Sequence, residues 1–245
     1  VRYVGQHVNR VEDPALVSGT VQFIDNLSLP GMLHCAILRS PHPHARILKV
    51  DARAAEALEG VVAVLTPEDV KRWANAHMTS PPGWGTHCIA LDKALFVGEP
   101  VAAVAATSRH LAEDALELID VEYEVLAPVG AAAAALRPDA PVLFKEHGTN
   151  VIQQRTYTWG EVDRVFAEAD HVVSIGELHF DRFNSTPLEC DSALVEYNRG
   201  TGQWTMYTNN QFPGFAAIMM GPAMRVGLDK LRIVTQDIGG GFGNK

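Results

Sequence analysis

The sequence contains few cysteines, and they are poorly placed for disulfide or metal chemistry. Cys35, Cys88 and Cys190 are widely spaced and odd in number, which is typical of a reducing compartment rather than of a disulfide-stabilised secreted domain. Three thiols are too few for an iron–sulfur cluster held by four cysteines. His87 and Cys88 have no second Cys or His at the spacing of a zinc site. We therefore expect any electron acceptor to lie on another protein.

Basic residues are also scarce, because 20 lysines and arginines face 29 aspartates and glutamates, giving a net charge of −9. This balance disfavours a nucleic-acid partner or an anionic membrane surface, since both require clustered positive charge. The first residues lack the apolar stretch of a signal peptide. The longest uncharged run, residues 200–224, contains prolines and amide side chains and does not predict a membrane span. We expect an acidic protein of the cytoplasm.

The pattern of predicted elements indicates an α/β fold in two parts. Residues 1–16 lack clear periodicity and are predicted to form an extended arm, and residues 17–127 alternate short apolar strands with helices. Residues 128–141 are predicted to be a linker, with a short helix as the alternative. Residues 142–245 form the second part.

Periodicity and end signals place the individual elements. Asp51, Thr66 and Ser108 are predicted helix N-caps, and Pro213 suits the first turn of a helix. Strands are predicted at residues 21–24, 32–38, 47–50, 61–65, 101–105, 120–125, 171–180, 192–197, 204–208 and 231–235. Helices are predicted at residues 52–58, 161–169 and 213–224, and from Thr66 and Ser108 onwards.

Two of these elements carry a prediction about burial. The nearly all-apolar run at residues 32–38 predicts a strand that is buried on both faces. In the helix at residues 161–169, apolar side chains recur at helical spacing, so Val162, Val165 and Phe166 are predicted to face inward.

Residues 235–245 read Thr-Gln-Asp-Ile-Gly-Gly-Gly-Phe-Gly-Asn-Lys and follow the predicted strand at 231–235. Backbone of this kind is free to adopt positive φ, and its successive N–H groups can form an anion-binding nest. The dinucleotide fingerprint fails, because Asn244 stands where its last glycine is needed, and the P-loop pattern fails as well. A tight turn that needs glycine only for its geometry remains the alternative.

A second segment lies 31 positions upstream, counted from Gln211 to Phe242. It is a predicted strand ending in Gln211-Phe-Pro213, followed by a helix that leads to the strand before the glycine loop. The Gln211 segment and the glycine loop are therefore predicted to follow the ends of neighbouring strands, a usual place for a site in α/β folds. Four further motifs precede it in order. They are Val4-Gly-Gln with Arg10 and Glu12-Asp13, Leu38-Arg-Ser-Pro-His-Pro-His-Ala-Arg-Ile47, Gly98-Glu-Pro-Val-Ala102 and Val121-Glu-Tyr-Glu124.

In these six motifs, over nearly its whole length, the chain resembles the molybdenum-binding subunit of the molybdenum hydroxylases, the family of xanthine oxidase, aldehyde oxidase and aerobic carbon monoxide dehydrogenase. The resemblance implies a small N-terminal α/β domain at residues 17–127, followed by the first part of a molybdopterin-binding domain at residues 142–245. It also implies a molybdenum–molybdopterin cofactor, often in a cytosine dinucleotide form, with iron–sulfur clusters and FAD on partner subunits.

The same resemblance assigns site residues. The glutamine at the position of Gln211 is expected to hydrogen-bond an oxygen ligand of the molybdenum, and Phe242 is expected to bring its backbone N–H near the metal. The backbone of Gly239, Gly240, Gly241, Phe242 and Gly243 is expected to bind the cofactor, and no side chain of this chain is expected to ligate the metal directly. A neutral amide suits the role of Gln211, because it donates a hydrogen bond without adding charge. A buried amide that ties two loops together is the alternative.

The sequence departs from the family pattern at residues 182–191. Relatives tend to read Pro-Met-Glu-Pro-Arg there, and Pro187 and Glu189 fit, whereas Cys190 and Asp191 replace a proline and an arginine. This change of charge weakens any transfer of substrate class. Glu189 is expected to be a structural carboxylate, since a single acid in a turn has no visible acid–base partner.

Two residues of family chemistry are expected beyond the glycine loop: the general-base glutamate and, in carbon monoxide dehydrogenase, the copper-bearing cysteine. We therefore expect either a divided molybdenum subunit that a second polypeptide completes, or a truncated one. The expected reaction is hydroxylation of a carbon of an aldehyde or N-heterocycle with oxygen from water, the substrate being a small molecule. A carbon monoxide dehydrogenase-type subunit and a non-catalytic assembly module are the alternatives.

Overall fold

The computed structural model describes residues 3–79, 81–181 and 183–245. The chain forms two compact units. The first comprises Val1–Pro128 together with Pro187–Lys245, and the second comprises Val129–Thr186. The α/β class expected from the sequence is confirmed, whereas the predicted domain boundaries stay a prediction.

Strands and helices alternate through the first unit. Its strands are β1 (His34–Arg39), β2 (Ala45–Asp51), β3 (Val61–Leu65), β4 (Lys93–Ala94), β5 (Pro100–Ala106), β6 (Asp120–Val125), β7 (Ala193–Asn198), β8 (Gln203–Thr208) and β9 (Leu231–Thr235). Its helices are α1 (Asp13–Ser18), α2 (Arg53–Glu56), α3 (Pro67–Trp73), α4 (Arg109–Leu116) and α7 (Pro213–Met224). The second unit contains α5 (Ala132–Ala135) and α6 (Val162–Glu168).

The core of the first unit lies under a sheet with the strand order β1-β5-β3. The central strand β5 is antiparallel to both neighbours and is nearly all alanine and valine, so α4 packs closely on it. Ala102, Val104 and Ala106 are fully buried there. Ser108 caps α4 as predicted, since its Oγ accepts a hydrogen bond from the Leu111 N–H at 3.2 Å.

Three local predictions in this unit need correction. The strand predicted at residues 32–38 is β1, and its side chains alternate between half-buried and exposed because one face packs on the core, through Ala36 and Leu38, and the other does not. Asp51 ends β2 instead of capping α2, although its carboxylate still accepts a hydrogen bond from the Arg53 N–H at 3.3 Å. Residues 21–24 form no strand, and the chain makes a 3₁₀ turn at Ile24–Asn26.

The end of the predicted arm is helical. Helix α1 starts at Asp13 with Pro14 in its first turn and ends at Gly19, whose φ of +70° lies in the left-handed region. Proline early and glycine late are the usual end signals of a helix, and they outweigh the lack of periodicity in the preceding residues.

A second sheet has the order β4-β2-β6, and a third, with the order β7-β8-β9, positions the glycine loop. Strands β7 and β8 are antiparallel, whereas β8 and β9 are parallel and joined through α7. Pro213 occupies the first turn of α7, Pro222 lies inside it, and Arg225 ends it with φ +57°. Because parallel strands end at the same edge, Thr208 and Thr235 are direct partners there. The prediction that the Gln211 segment and the glycine loop follow neighbouring strand ends is confirmed.

The second unit has little regular structure. The short helix α5 replaces part of the predicted linker, and residues 171–180 form no strand although their sequence alternates. Val162, Val165 and Phe166 on α6 are exposed, which corrects the prediction that they face inward. No described residue of this unit is buried, so the helix has no apolar surface within the unit on which to pack.

Among the described residues, no helix is both long and apolar enough to cross a bilayer. In the same residues, no group of three or more His, Cys, Asp or Glu side chains could hold a metal ion.

Candidate functional site

The segments that follow β8 and β9 are bound to each other immediately beyond the strand ends. The Gln236 N–H donates to the Thr208 carbonyl at 3.0 Å, and the Thr235 hydroxyl donates to the Asn210 carbonyl at 3.0 Å. These bonds extend the parallel ladder by a further step. They bring Gln211 and the glycine loop, which we define as residues 239–245, to the same place.

The glycine loop needs glycine at several positions. Gly240 and Gly243 have φ values of +95° and +83°, and Phe242 also lies in the left-handed region at +50°. A Cβ atom added to Gly241 would lie 2.6 Å from Gln211 Nε2 and 2.7 Å from Oε1. The bare backbone therefore packs directly on the glutamine amide, and a larger residue at position 241 cannot fit without moving it.

Gln211 is oriented by the loop. Its Oε1 accepts hydrogen bonds from the Gly243 N–H at 3.0 Å and the Lys245 N–H at 3.4 Å. With the carbonyl side of the amide engaged, the NH2 side is left as the donor. Gln211 Nε2 donates to none of the residues that the structure describes. The predicted partners Gln211 and Phe242 are thus neighbours, because both residues that flank Phe242 contact the Gln211 amide.

The N–H groups of the loop fall into two sets. Those of Gly239 and Gly243 are bonded to Glu189 and Gln211. Those of Gly240, Gly241 and Phe242 donate to no acceptor within residues 3–79, 81–181 and 183–245. The five backbone positions expected to bind the cofactor thus contain three consecutive unbonded N–H donors, the usual composition of an anion-binding nest.

Glu189 holds the loop from the opposite side. Its Oε2 accepts hydrogen bonds from the Gly239 N–H at 2.7 Å and from Lys245 Nζ at 2.9 Å. The Lys245 side chain is 1% exposed and that of Glu189 is 13% exposed. The other carboxylate oxygen, Oε1, is buried and accepts no hydrogen bond of good geometry from any described residue.

The ionisation of Glu189 reflects these contacts. Burial alone would raise the pKa of this carboxyl, but hydrogen bonds involving Lys245, the Gly239 N–H and Asn209 outweigh it and lower the pKa. These hydrogen bonds therefore keep the Glu189 carboxylate charged in the folded protein. It does not have the raised pKa of a general acid.

The turn that departs from the family pattern lies beside the loop. A Cβ on Gly240 would lie 3.4 Å from Pro187 Cβ, and the Glu189 N–H donates to the Gly239 carbonyl at 3.2 Å. The Cys190 carbonyl accepts a hydrogen bond from Asn209 Nδ2 at 2.8 Å. Cys190 and Asp191, the two residues that differ from the family pattern, are exposed.

Sequence reasoning missed Asn209 and Lys245. Asn209 is 2% exposed, and its side chain ties Cys190 and Ser192 to the end of β8. Two adjacent amides at a strand end, Asn209 and Asn210, were a signal that could have identified the first of these. Lys245 gave no signal, because its partner Glu189 lies 56 positions away.

The residues present fit the cofactor that the resemblance implies. An anionic pterin needs several fixed donors and little bulk, and the loop offers three consecutive N–H groups without side chains at positions 240 and 241. The Gln211 NH2 adds a neutral donor beside them. Phe242 is 74% exposed, and its ring lies beside Gly240, where an added Cβ would come 3.0 Å from it.

Comparison with known proteins assigns both parts of the chain. Residues 18–127 match the family described as aldehyde oxidase and xanthine dehydrogenase, a/b hammerhead domain. Residues 143–245 match the molybdopterin cofactor-binding domain.

Individual relatives agree with this assignment. The chain is 36% identical to the carbon monoxide dehydrogenase large chain of Hydrogenophaga pseudoflava over 96% of its length, which is 31% of that protein. It is 31% identical to the nicotine 6-hydroxylase large subunit of Paenarthrobacter nicotinovorans, over 99% of its length and 30% of the relative. Quinoline 2-oxidoreductase from Pseudomonas putida 86 superimposes with a TM-score of 0.87 at 35% identity, over 98% of this chain and 31% of that one. The chain therefore spans about a third of the length of these relatives.

Proposed function

The chain belongs to the molybdenum hydroxylase family, and from that premise we propose that it builds part of the site at which a small molecule is oxidised. The reaction proposed is hydroxylation of a carbon atom of an aldehyde or N-heterocycle, with oxygen from water. The observation that carries the proposal is the Gln211 amide, which is fixed against the glycine loop next to three unbonded N–H groups.

In this site the chain's own residues bind the cofactor and orient it. The N–H groups of Gly240, Gly241 and Phe242 hold negative charge on the cofactor, and Gln211 Nε2 donates a hydrogen bond toward the metal end of it. When bound, the molybdenum–molybdopterin supplies the redox chemistry of the hydroxylation. The pterin carries a cytosine dinucleotide in this proposal, and no side chain of the chain ligates the metal.

The remaining requirements are proposed to come from other parts of the enzyme. The chain spans 31% of its carbon monoxide dehydrogenase relative, so a general-base glutamate would lie in the rest of the molybdenum subunit or in a second polypeptide. Relatives named large chain and large subunit support the presence of further subunits. We assign iron–sulfur clusters and FAD to those subunits, since three cysteines are too few for a cluster held by four. Free thiols also support a cytoplasmic location.

A carbon monoxide dehydrogenase-type function is the second candidate. It is favoured by the 36% identity to the large chain of that enzyme, whereas relatives named for nicotine and quinoline favour an N-heterocycle. We propose that the exposed Asp191, two positions after Glu189, helps to set the preference for a charged or a neutral substrate.

The test is to purify the native protein that contains this chain, determine its molybdenum and pterin content, and assay oxidation of quinoline, an aromatic aldehyde and carbon monoxide with a dye as electron acceptor. We expect molybdenum, pterin and turnover of a heterocycle or aldehyde. Turnover of carbon monoxide alone would select the second candidate. An intact fold with neither molybdenum nor pterin would identify a non-catalytic assembly module and refute the proposal.

A further inference from the structure

Both ends of the glycine loop are held by one side chain. Glu189 Oε2 accepts hydrogen bonds from the Gly239 N–H at 2.7 Å and from Lys245 Nζ at 2.9 Å. The Glu189 N–H in turn donates to the Gly239 carbonyl at 3.2 Å. The first residue of the loop and its seventh are therefore fixed to the same carboxylate.

The three unbonded N–H groups lie between these attachments. Gln211 Oε1 fixes the second half of the loop through Gly243 and Lys245, and Glu189 fixes the first half through Gly239. Gly239 permits this approach, because a Cβ there would lie 2.5 Å from the Glu189 Cβ. Among the described residues, the Glu189 carboxylate is the side chain that hydrogen-bonds the loop's first residue.

The burial of the pair indicates what it contributes. Lys245 is 1% exposed and Glu189 is 13% exposed at the side-chain level, so both charges have lost most of their hydration. Apolar side chains of similar volume would often stabilise such a position equally well. A charged pair differs from them in that its hydrogen bonds have direction, and here one of those bonds ends on the loop backbone.

We propose that Glu189 is a positioning residue, which with Lys245 clamps the glycine loop so that its free N–H groups face the cofactor. The proposal rests on the function proposed above. It assigns to Glu189 no contact with substrate or metal. Loss of the clamp should let the loop open and should weaken cofactor retention, even in a protein that stays folded.

The variants that test this are Glu189→Leu, Lys245→Met and the double variant. Each single change leaves one buried charge without its partner and is expected to destabilise the fold. The double change removes both charges and is expected to regain most of that stability, but not the side-chain hydrogen bond to the Gly239 N–H. Glu196→Leu, at an exposed position on β7, is the matched control.

Three quantities are measured on the full protein: thermal unfolding, hydrogen exchange of the loop amides, and molybdenum with pterin content. In the double variant we expect near-normal unfolding, about tenfold faster exchange at Gly239 and about tenfold lower cofactor occupancy, as the loss of one hydrogen bond to a charged group predicts. The control should change neither exchange nor occupancy.

A double variant with normal exchange and normal occupancy would overturn the proposal. So would faster exchange together with full occupancy, because the clamp would then have no role in cofactor binding. If the unaltered protein binds no molybdenum or pterin while Glu189→Leu still accelerates exchange at Gly239, the proposed function fails while the clamping of the loop stands.

Discussion

The interior of the β1-β5-β3 sheet and the ends of β8 and β9 are both buried, but they bury different chemistry. Ala102, Val104 and Ala106 are fully buried in the first and contribute only apolar contacts. At the strand ends the buried residues include Asn209 and Lys245, which are 2% and 8% exposed. Each of these two makes named hydrogen bonds to the neighbouring loops.

The two kinds of burial have different consequences: apolar packing mainly sets stability, and the hydrogen-bonded strand ends mainly set geometry. Apolar packing is non-directional. The loss of a few buried methyl groups lowers the free energy of unfolding by an amount that depends on the apolar area lost and on the size of the cavity left behind. A hydrogen-bonded cluster fixes the direction of each group, so a change there misplaces atoms even when the fold survives. Core substitutions should therefore alter unfolding, and strand-end substitutions should alter cofactor loading.

The largest effect is expected from Gly241→Ala. The added Cβ would overlap the Gln211 amide, and misplacement of such a group by about 1 Å can cost roughly 100-fold in function. We expect molybdenum content to fall by a factor of that order. Unfolding should change little. The control is Gly176→Ala, where an added Cβ meets no atom within 4 Å. Full metal content in Gly241→Ala would contradict the claim that geometry at the strand ends controls cofactor loading.

Val104→Ala should show the opposite behaviour. Val104 is fully buried on the central strand, and truncation there should lower the free energy of unfolding by about 2 kcal/mol. Cofactor content per folded molecule should stay normal. Denaturant unfolding and metal analysis of the same samples check this, with Val62→Ala at an exposed position of β3 as control. Loss of metal from folded Val104→Ala would show that the two regions are not separable.

Local sequence patterns predicted most of the first unit. The apolar β5, the Ser108 cap of α4 and the Thr66 N-cap of α3 all have signals within a few residues. The parallel strand ends that bring Gln211 to the glycine loop followed from the order of elements and are confirmed. Their role at a cofactor remains a prediction.

What the sequence did not predict depends on contacts between distant residues. Residues 171–180 alternate like a strand but find no partner in the described structure of their unit, and periodicity does not report pairing. The contact between Glu189 and Lys245 joins positions 56 residues apart, with no local pattern to mark it. The burial of β1 was overestimated because an apolar run does not show whether both faces of a strand are covered, and the face that carries Ile37 is exposed.

Gln211→Ala tests whether a strand-end residue also affects turnover. The substitution removes the donor Nε2 and the acceptor that orients Gly243, while the sheet that carries residue 211 is unchanged. We expect kcat to fall about tenfold, the equivalent of one lost hydrogen bond to a charged or polarised group, with the complex still assembled. Gln203→Ala at the exposed start of β8 is the matched control. Unchanged turnover would remove Gln211 from the site.

The smallest effect concerns acid pH. The pKa of Glu189 is lower in the folded protein than its ordinary value, so the unfolded state binds more protons and the stabilisation is present above the unfolded pKa of about 4.3. It is lost as the pH falls through the folded pKa. Comparing unfolding free energies at pH 7 and pH 4 with those of Glu189→Gln should show a steeper loss in the unaltered protein. Parallel pH profiles for the two proteins would contradict the assignment.

The decisive measurement is the position of the cofactor relative to Gln211 and the glycine loop. It requires crystals of the cofactor-loaded protein, with diffraction data collected at the molybdenum absorption edge. The account predicts one anomalous peak beside the Gln211 amide and the Phe242 backbone, with pterin density against the N–H groups of Gly240 and Gly241. A peak elsewhere in the protein, or a loaded protein in which the glycine loop contacts no cofactor atom, would contradict it.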